Sequence, residues 1–304
     1  MPSTRRIIAR RPTREFLPGI LFVLPAVILF IAFVGYPLVS SLYYSLFSWA
    51  GYGVPEFIGF DNFVNLTQDP NFQSAVVVTV VYTVATTILQ TIVPMLVAIL
   101  FMQKWRAGAL LRTMIFIPSV ISLTITGLLW QLVLQPDGGL LEVLLNRVGL
   151  GGLSRPWLAD STSVVPVLII VSLWQSLGFF LVIYYAGLQG IDPELYEAAR
   201  VDGASGFRLM RYITIPSLRS VTTLVISLNL INGLKVFDLI YAMTAGGPGT
   251  ASQSLGVYLY KLAFGSENGA SAAFGYADAI GVVMMIAAAI LFLVVSALRR
   301  GRRA

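Results

Sequence analysis

Long runs of apolar residues, separated by short polar segments, dominate this chain. Six of the runs reach the roughly 20 residues that a helix needs to cross about 30 Å of hydrocarbon. They are Leu17–Phe47, Gln73–Met102, Leu110–Leu134, Ser163–Leu188, Ser220–Thr244 and Phe274–Leu298. Runs of this length are typical of membrane-spanning helices, in which every backbone polar group is satisfied within the segment. The pattern therefore predicts an all-α membrane protein with six transmembrane helices.

The composition agrees with a membrane protein and narrows its chemistry. The chain is 57% hydrophobic and 11% charged, whereas soluble domains carry about 25% charged residues. It contains no Cys and no His, which excludes thiolate nucleophiles, histidine bases, Cys/His zinc sites and disulfides. The absence of paired intramembrane carboxylates also argues against a membrane enzyme. No G-x-x-x-x-G-K-[ST] phosphate-binding loop surrounds any lysine, so we expect no ATP site and no cofactor in this chain.

The basic residues are distributed unevenly along the chain. Sixteen of the twenty Lys and Arg residues fall at the two termini and in the second and fourth connections. Because cytoplasmic loops carry the excess of Lys and Arg, both termini are predicted to be cytoplasmic. The net charge of +6 then reports topology, not nucleic-acid binding. The predicted divisions are a basic N-terminus (1–16), a membrane domain (17–298) with a cytoplasmic loop at 190–218, and a basic tail (299–304).

The first apolar run is too long for a signal peptide, whose apolar core is about 7–15 residues. With no A-x-A-like cleavage site after it, we expect a retained signal-anchor.

Three connections face the external side in this topology. The first, Trp49–Phe72, is rich in turn residues and predicts an ordered, non-helical cap. The third contains LLEVLLNRVGL, which favours a short interfacial helix. The fifth, AGGPGTASQSLGVYLYKLAFGS, opens on a Gly-Pro-Gly break and continues amphipathically. Each is either a solvated connector or a docking surface for an external delivery protein.

The fourth connection holds the most charged segment, YEAARVDGASGFRLMRYITIP. Asp192 is a candidate N-cap for a first helix with Pro193 at its first position. Gly203 is placed to end that helix, and Ser205 to cap a second helix before Pro216. One interpretation is an amphipathic element at the membrane surface. The other is a docking site for a soluble subunit, because the small residues of this segment permit close approach.

The same segment resembles the EAA signature of ATP-binding-cassette importer permeases: E-A-A, three residues, G, nine residues, I-x-L-P. The positions that match in type and spacing are Glu197, Ala198, Ala199, Gly203, Ile213 and Pro216. Ile215 stands where Leu is usual, which is a swap of similar volume. The resemblance implies a coupling helix between helices 4 and 5 that docks into a groove on an ATPase subunit, with the glutamate in contact. Asp202 is assigned to the same set.

Other stretches are similar to the carbohydrate-uptake branch of these permeases. They are FIGFDNFVNLTQDPNFQSAVVVTVVYT, LRTMIFIPSVIS and NGLKVFDLIYAMTAGGPGTASQSLGVYLYKLAF, the last akin to first-type subunits of maltose and glycerol-3-phosphate permeases. The resemblance implies a second homologous permease, two ATPase subunits that bind ATP and Mg, and an external solute-binding protein or lipoprotein. The implied setting is a bacterial or archaeal cytoplasmic membrane, with membrane lipids around the spans. Import of an oligosaccharide or related polyol would proceed by alternating access.

Polar residues within the spans are candidates for the substrate path, since they are costly in hydrocarbon. On a continuous helix, Asn229, Asn232 and Lys235 would share an arc of about 120°, and Asp238 would lie opposite Asn229. Lys235 and Asp238 could instead neutralise each other as i,i+3 neighbours. Further candidates are Trp130, Gln131, Trp174, Gln175, Tyr184 and Tyr241. Anchoring at the membrane interface is the alternative role for the aromatic ones.

Two alternative functions remain at this point. One is a phosphorylated substrate in the same importer class, with Lys235 as its counter-charge. The other is a single-chain secondary transporter driven by an ion gradient. Such transporters often show internal repeats, but the two halves of this chain show no convincing repeat. The intramembrane carboxylates are few, namely Asp238 and Asp278.

Overall fold

The computed structural model describes residues 16–102, 108–265 and 273–300. The predicted basic termini lie almost wholly outside these ranges. The helices are α1 (Phe16–Phe30), α2 (Tyr36–Tyr44), α3 (Asp61–Gln68), α4 (Pro70–Leu100), α5 (Gly108–Val120), α6 (Leu123–Val133), α7 (Leu140–Arg147), α8 (Val164–Gln189), α9 (Pro193–Val201), α10 (Phe207–Leu209), α11 (Ile215–Ser217), α12 (Arg219–Leu234), α13 (Asp238–Thr244), α14 (Leu255–Phe264) and α15 (Phe274–Arg300). Two π-helical turns, Ile31–Gly35 and Met210–Thr214, join α1 to α2 and α10 to α11.

Four described helical segments are long and apolar enough to cross a membrane without a break. They are Ile20–Tyr44, Pro70–Leu100, Val164–Gln189 and Phe274–Ala297. Two sharply bent pairs, α5 with α6 and Phe207–Ser217 with α12, would raise the number to six if each pair is one span. The predicted helical membrane architecture is confirmed. The third and fifth runs do not form the straight helices that the hydropathy predicted.

The third apolar run breaks at Ile121 and Ser122, where α5 and α6 meet at 99°. Pro118 near the end of α5 removes a backbone donor from the helix. Ser122 has an extended backbone, and its Oγ accepts a hydrogen bond from the amide of Ile125 at 3.3 Å. A serine N-cap inside an apolar run therefore starts a new helix in the middle of the predicted span.

The fifth apolar run also breaks. Helix α12 ends at Leu234, and α13 begins at Asp238. The carbonyl of Val236, which lies in the gap, accepts a hydrogen bond from Ser254 Oγ at 2.7 Å. This bond satisfies a backbone group that a continuous helix would have satisfied internally. The break is therefore supported by the chain that leads into α14.

The first connection, which was predicted to be external, contains a helix, so the prediction of a non-helical cap was wrong. Strands β1 (Phe47–Ser48) and β2 (Glu56–Phe57) pair antiparallel, and α3 follows them. The Asn62 amide of α3 donates to the carbonyls of Ser45 and Phe47 at 2.8 and 3.0 Å. These two bonds hold α3 against the end of α2. The turn residues of the sequence do not predict such a contact. The predicted helix in the third connection is present as α7.

Helices α4 and α8 pack along each other and form the centre of the structure. Helix α12 packs on α4, α5 on α8, α13 on α6, and both α2 and α14 on α15. Gly178 permits the contact of α8 with α5, because a Cβ there would lie 2.5 Å from the Ile115 carbonyl oxygen and the Phe116 Cα. Close approach at this glycine places Ser119 of α5 beside α8.

Candidate functional site

The charged segment forms the first of two helical pieces as the sequence predicted. Asp192 has an extended backbone, and its Oδ1 accepts a hydrogen bond from the Glu194 amide at 3.0 Å. Pro193 occupies the first turn of α9, where a missing amide hydrogen costs nothing. Helix α9 carries Glu197, Ala198 and Ala199 on the segment that resembles the importer signature.

The end of α9 is a Schellman motif centred on Gly203. Gly203 has φ of +77°, its amide donates to the Arg200 carbonyl at 3.0 Å, and the Ala204 amide donates to the Ala199 carbonyl at 2.9 Å. A Cβ at Gly203 would meet nothing within 4 Å. Glycine is therefore favoured here for its left-handed backbone and not for space within the chain. Asp202 is the exposed residue just before it.

The second helical piece differs from the prediction in how it begins and ends. Gly206, with φ of +47°, precedes α10, and the Ser205 side chain forms no cap. Helix α10, the π-helical turn and α11 run on through Pro216 to Ser217, and the chain then bends by 64° into α12. Tyr196 of α9 and Thr214 of the π-helical turn share a hydrogen bond of 3.2 Å between their hydroxyls. This contact fixes the two pieces relative to each other.

The surface of this segment is exposed and partly apolar. Glu197 and Ala198 are exposed. Val201 is 88% exposed, and Phe207 and Tyr212 are each 71% exposed. Large apolar side chains at the surface, beside charged ones, mark a contact surface for a partner when they are grouped. We call Asp192–Leu218 the coupling segment below.

A second feature is a cavity of about 300 Å³ at the two helix breaks. Ser119 and Leu123 border it from the α5–α6 break, and Lys235 and Asp238 from the α12–α13 break. Discontinuous helices are typical of substrate sites in membrane transporters, because unwound backbone can line a cavity. We call this space the central cavity.

Five of the predicted path residues line the central cavity: Gln175, Asn229, Asn232, Lys235 and Asp238. Sequence reasoning missed another polar group, contributed mainly by α4 and α8: Thr86, Gln90, Ser119, Ser172 and Ser176. Their helical spacing within apolar runs is the signal that could have found them. That the α4 side chains face this cavity follows from how α4 packs on other helices, which the sequence pattern does not show.

Hydrogen bonds organise the inner wall of the central cavity. Gln90 Nε2 donates to Ser172 Oγ at 2.9 Å, which links α4 to α8. Gln175 Nε2 donates to the Ile121 carbonyl at 3.3 Å and so satisfies the backbone at the α5–α6 break. Asn229 is 3% exposed, and its Nδ2 has no partner among the described residues. A buried unpaired donor of this kind is costly unless a ligand or water meets it.

The charged residues of the cavity are arranged differently from the prediction. Lys235 is the C-cap of α12 and Asp238 is the first residue of α13, so the two are not neighbours on one helix. The predicted opposite placement of Asn229 and Asp238 was also wrong, since both line the same cavity. Both corrections follow from the helix break. Asn232, Lys235 and Asp238 are exposed at the mouth of the cavity.

The other predicted path residues lie elsewhere. Trp130 and Trp174 form an edge-to-face pair at 5.5 Å. Tyr241 stacks on Phe237 at 5.1 Å. Gln131 lines a second cavity of about 420 Å³ beside Pro136 and Pro156, in the predicted external connection. These residues are not among those that line the central cavity.

A carboxylate also organises the predicted external ends of three helices. Asp69 caps α4 through the amide of Asn71 at 2.9 Å and accepts hydrogen bonds from the hydroxyls of Tyr258 and Tyr276. Burial, with the adjacent carboxylate, raises the pKa of Tyr258. Asp69 therefore acts as a structural link between α4, α14 and α15. Across the described ranges, no group of three or more carboxylates could hold a metal ion.

The chain is similar to known transport permeases. The chain is 37% identical to the probable ABC transporter permease protein YurN of Bacillus subtilis, over 88% of this chain and 90% of the relative. It is 35% identical to the lactose transport system permease protein LacF of Rhizobium radiobacter, over 90% of this chain and 91% of the relative. These relatives are named as transport permeases, not as enzymes.

A solved structure has the same fold. It is a bacterial alginate ABC transporter in complex with an alginate pentasaccharide-bound periplasmic protein, and one of its chains matches with a TM-score of 0.81. The sequences are 25% identical, and the match covers 94% of this chain and 95% of that one. Residues 90–302 match the model of the binding-protein-dependent transport system inner membrane component family. The chain belongs to that family of permease proteins.

Proposed function

We propose that this chain is the transmembrane permease subunit of an ATP-driven importer that carries a sugar, delivered by an external binding protein, into the cytoplasm. The observation that carries the proposal is the coupling segment. Its importer signature begins on α9, which is exposed and capped at both ends, and a hydrogen bond joins α9 to the second helical piece. Family membership supports it over 213 of the 304 residues, counted from positions 90–302. The relative named for lactose and the neighbour bound to an alginate-loaded protein favour a saccharide.

The proposed topology has six spans with both termini in the cytoplasm. It counts the bent pair α5 and α6 as the third span and α12 with α13 as the fifth, so that Phe207–Ser217 stays outside the membrane. It rests on the excess of Lys and Arg at the termini and in the second and fourth connections. In this orientation the coupling segment is cytoplasmic and the α3 region is external. The proposed location is the cytoplasmic membrane of a bacterium or archaeon. Residues 17–298 would form the membrane domain.

Coupling is assigned to Glu197, Ala198, Ala199, Asp202, Gly203, Ile213 and Pro216. The partner is an ATPase subunit that holds the ATP and Mg, because this chain has no phosphate-binding loop of its own. Exposed Glu197 would contact that subunit directly. The Tyr196–Thr214 hydrogen bond would carry movement of α9 into the second helical piece and on to α12.

The substrate path is assigned to the central cavity. Its inner wall is buried, whereas Asn232, Lys235 and Asp238 are exposed at its mouth. We assign the open mouth to face a second, homologous permease, so that the two subunits enclose the path together. Alternating access would open the cavity to each side in turn. Because two helix breaks border the cavity, small rotations of α6 and α13 would change its shape.

Two alternatives are distinguished by their requirements. A phosphorylated substrate would use Lys235 as its counter-charge within the same importer. A secondary transporter would need no ATPase and no binding protein, and the family membership of the chain disfavours it.

The test is uptake by the complex that copurifies with this chain from its native membrane, reconstituted into liposomes with its binding protein. Uptake of a neutral sugar that requires ATP and survives dissipation of ion gradients is the expected result. Uptake that needs no ATP and stops when the gradients collapse would refute the proposal.

A further inference from the structure

Three hydroxyl groups of the central cavity share one property, which is that their hydrogens are already engaged. Thr86, Ser119 and Ser176 each donate to a backbone carbonyl of their own helix, at 2.7, 2.6 and 2.8 Å. A hydroxyl has one hydrogen and two lone pairs. Towards a ligand, these three side chains therefore offer acceptors only.

The amide and ammonium donors of the cavity lining come from α4, α8 and the end of α12. Gln90 and Gln175 each commit one amide hydrogen within the wall, to Ser172 and to the Ile121 carbonyl. Asn229, which also lines the cavity, has a buried side-chain amide nitrogen with no hydrogen-bond partner among the described residues. The remaining donors on α12 are Asn232 and Lys235, towards the mouth. The three hydroxyl acceptors thus lie on α4, α5 and α8, and the donors towards the mouth come from α12.

The formal charges of the cavity lining balance. Lys235 is its cation and Asp238 its anion. The two are three residues apart, so at most about 11 Å of chain separates their Cα atoms. An anionic ligand group that reaches Lys235 therefore also meets the field of Asp238, within about one Debye length.

We propose that the central cavity selects neutral, polyhydroxylated ligands over phosphorylated or carboxylated ones, and that Asp238 is the residue that rejects anions. A phosphate or carboxylate only accepts hydrogen bonds at neutral pH, so it leaves the three hydroxyl oxygens and Asp238 without donors. A sugar hydroxyl donates and accepts, so a saccharide can satisfy the acceptors and the donors of the cavity at once. This inference rests on the proposed function, and it gives Asp238 a role separate from that of Lys235.

The absence of cysteine from the chain allows a direct binding experiment on the whole complex. Leu123 lines the cavity and is 37% exposed, so Leu123→Cys is a reporter for occupancy. Alkylation of this cysteine by a maleimide is followed from the mass of this chain. The probes are a neutral disaccharide, its C6-carboxylate analogue and its 6-phosphate, each titrated in the absence of the binding protein. Asn65→Cys, at an exposed position of α3, controls for effects outside the cavity.

In the reporter complex, the neutral disaccharide should slow alkylation at a concentration at least about fivefold below that of either acidic analogue. Adding Asp238→Asn should improve protection by the acidic analogues by about fivefold relative to protection by the neutral sugar, because the substitution removes the negative charge. Asp238→Glu, which keeps the charge, should behave like the parent. Phe179→Cys, also on the cavity wall and 48% exposed, serves as a second reporter if Leu123→Cys does not assemble.

Equal protection by neutral and acidic sugars in the parent complex would overturn the inference, as would an unchanged ratio in Asp238→Asn. If no sugar protects either reporter in a complex that still shows ATP-driven uptake, the selectivity role of the cavity fails while the importer function stands. If the unaltered complex shows no ATP-driven uptake, the proposed function itself fails.

Discussion

The coupling segment and the central cavity are built in opposite ways. The coupling segment is specified locally. Asp192 and Gly203 fix the ends of α9 through hydrogen bonds that join residues at most five positions apart. The central cavity is assembled from four parts of the chain, and its Gln90–Ser172 bond joins residues 82 positions apart. A local element can be recognised from a short stretch of sequence, whereas the cavity depends on how the helices pack.

The coupling segment and the central cavity also differ in exposure and in what holds their shape. The coupling segment presents Val201 and Phe207 to its surroundings, and its shape is held by caps and by the Tyr196–Thr214 bond. The inner cavity wall is buried and cross-linked by hydrogen bonds, although it lies at two helix breaks. We infer that movement enters through a compact, well-capped element and is absorbed at the breaks, where fewer backbone bonds resist it.

The largest expected loss of uptake follows from substitutions in the coupling segment. Glu197→Ala should lower ATP-driven uptake by about tenfold or more, since a hydrogen bond to a charged group contributes about 1.5–3 kcal/mol. Gly203→Val should do the same, because a β-branched residue is strained at a φ of +77°. The measurements are uptake and ATPase copurification. Gly203→Asn tolerates the left-handed conformation and should retain most of the uptake. Normal uptake in both Glu197→Ala and Gly203→Val would contradict the coupling assignment.

The next effect is on packing around the cavity. Gly178→Ala would place a Cβ 2.5 Å from backbone atoms of α5, and overpacking of this kind costs about 1–3 kcal/mol. The purified complex should therefore lose its assembled state at a lower temperature. The matched control is Gly152→Ala, where an added Cβ meets nothing within 4 Å. Equal thermal stability of the two variants would show that the α5–α8 contact is not as close as described.

A smaller and more selective effect is expected in the path. Asn232→Ala removes an amide at the cavity mouth. A neutral hydrogen bond contributes about 0.5–1.5 kcal/mol, so the sugar concentration for half-maximal uptake should rise about two- to tenfold. The ATPase subunit should remain bound as in the parent. Asn65→Ala, on exposed α3, is the control. Unchanged uptake kinetics across several sugars would remove Asn232 from the path.

The smallest effect concerns the cap of α9. Asp192→Ala removes the side-chain acceptor of the Glu194 amide and should destabilise the helix by about 1 kcal/mol. Hydrogen exchange of the first amides of α9 should accelerate, and exchange in α8 should not change. Asp192→Ser keeps a capping oxygen and should restore slow exchange. Equally fast exchange in the serine and alanine variants would mean that the cap does not stabilise α9.

Sequence patterns gave good predictions where structure is local and poor ones where it is not. The apolar runs predicted the helical membrane architecture, and Asp192, Pro193 and Gly203 predicted α9 almost to the residue. The breaks at Ser122 and Lys235 were missed because an average over a whole apolar run hides one capping residue and one backbone bond to Ser254. Asn229, Asn232 and Lys235 were expected on one face of a helix. Asp238 lines the same cavity as these three residues because α12 ends at Leu234, before Asp238.

Polar residues on α4 and α8 were missed for a related reason. Thr86, Gln90 and Ser172 lie in strongly apolar helices. A hydroxyl such as that of Thr86 can bond to a carbonyl of its own helix, so its presence there does not by itself indicate a ligand. Their convergence follows from the close packing of α4 on α8 and of α12 on α4, which hydropathy does not encode.

The measurement that tests the account most directly is cross-linking from a single cysteine in the assembled native complex. Ala198→Cys places the reporter on exposed α9, and Gly152→Cys places a matched reporter in the predicted external connection. If Asp192–Leu218 docks on the ATPase, Ala198→Cys should cross-link to an ATPase subunit, identified by mass spectrometry, and Gly152→Cys should not. A complex in which Ala198→Cys captures no ATPase, or in which the reporter at position 152 captures it instead, would contradict the assignment of Asp192–Leu218 as the cytoplasmic coupling segment.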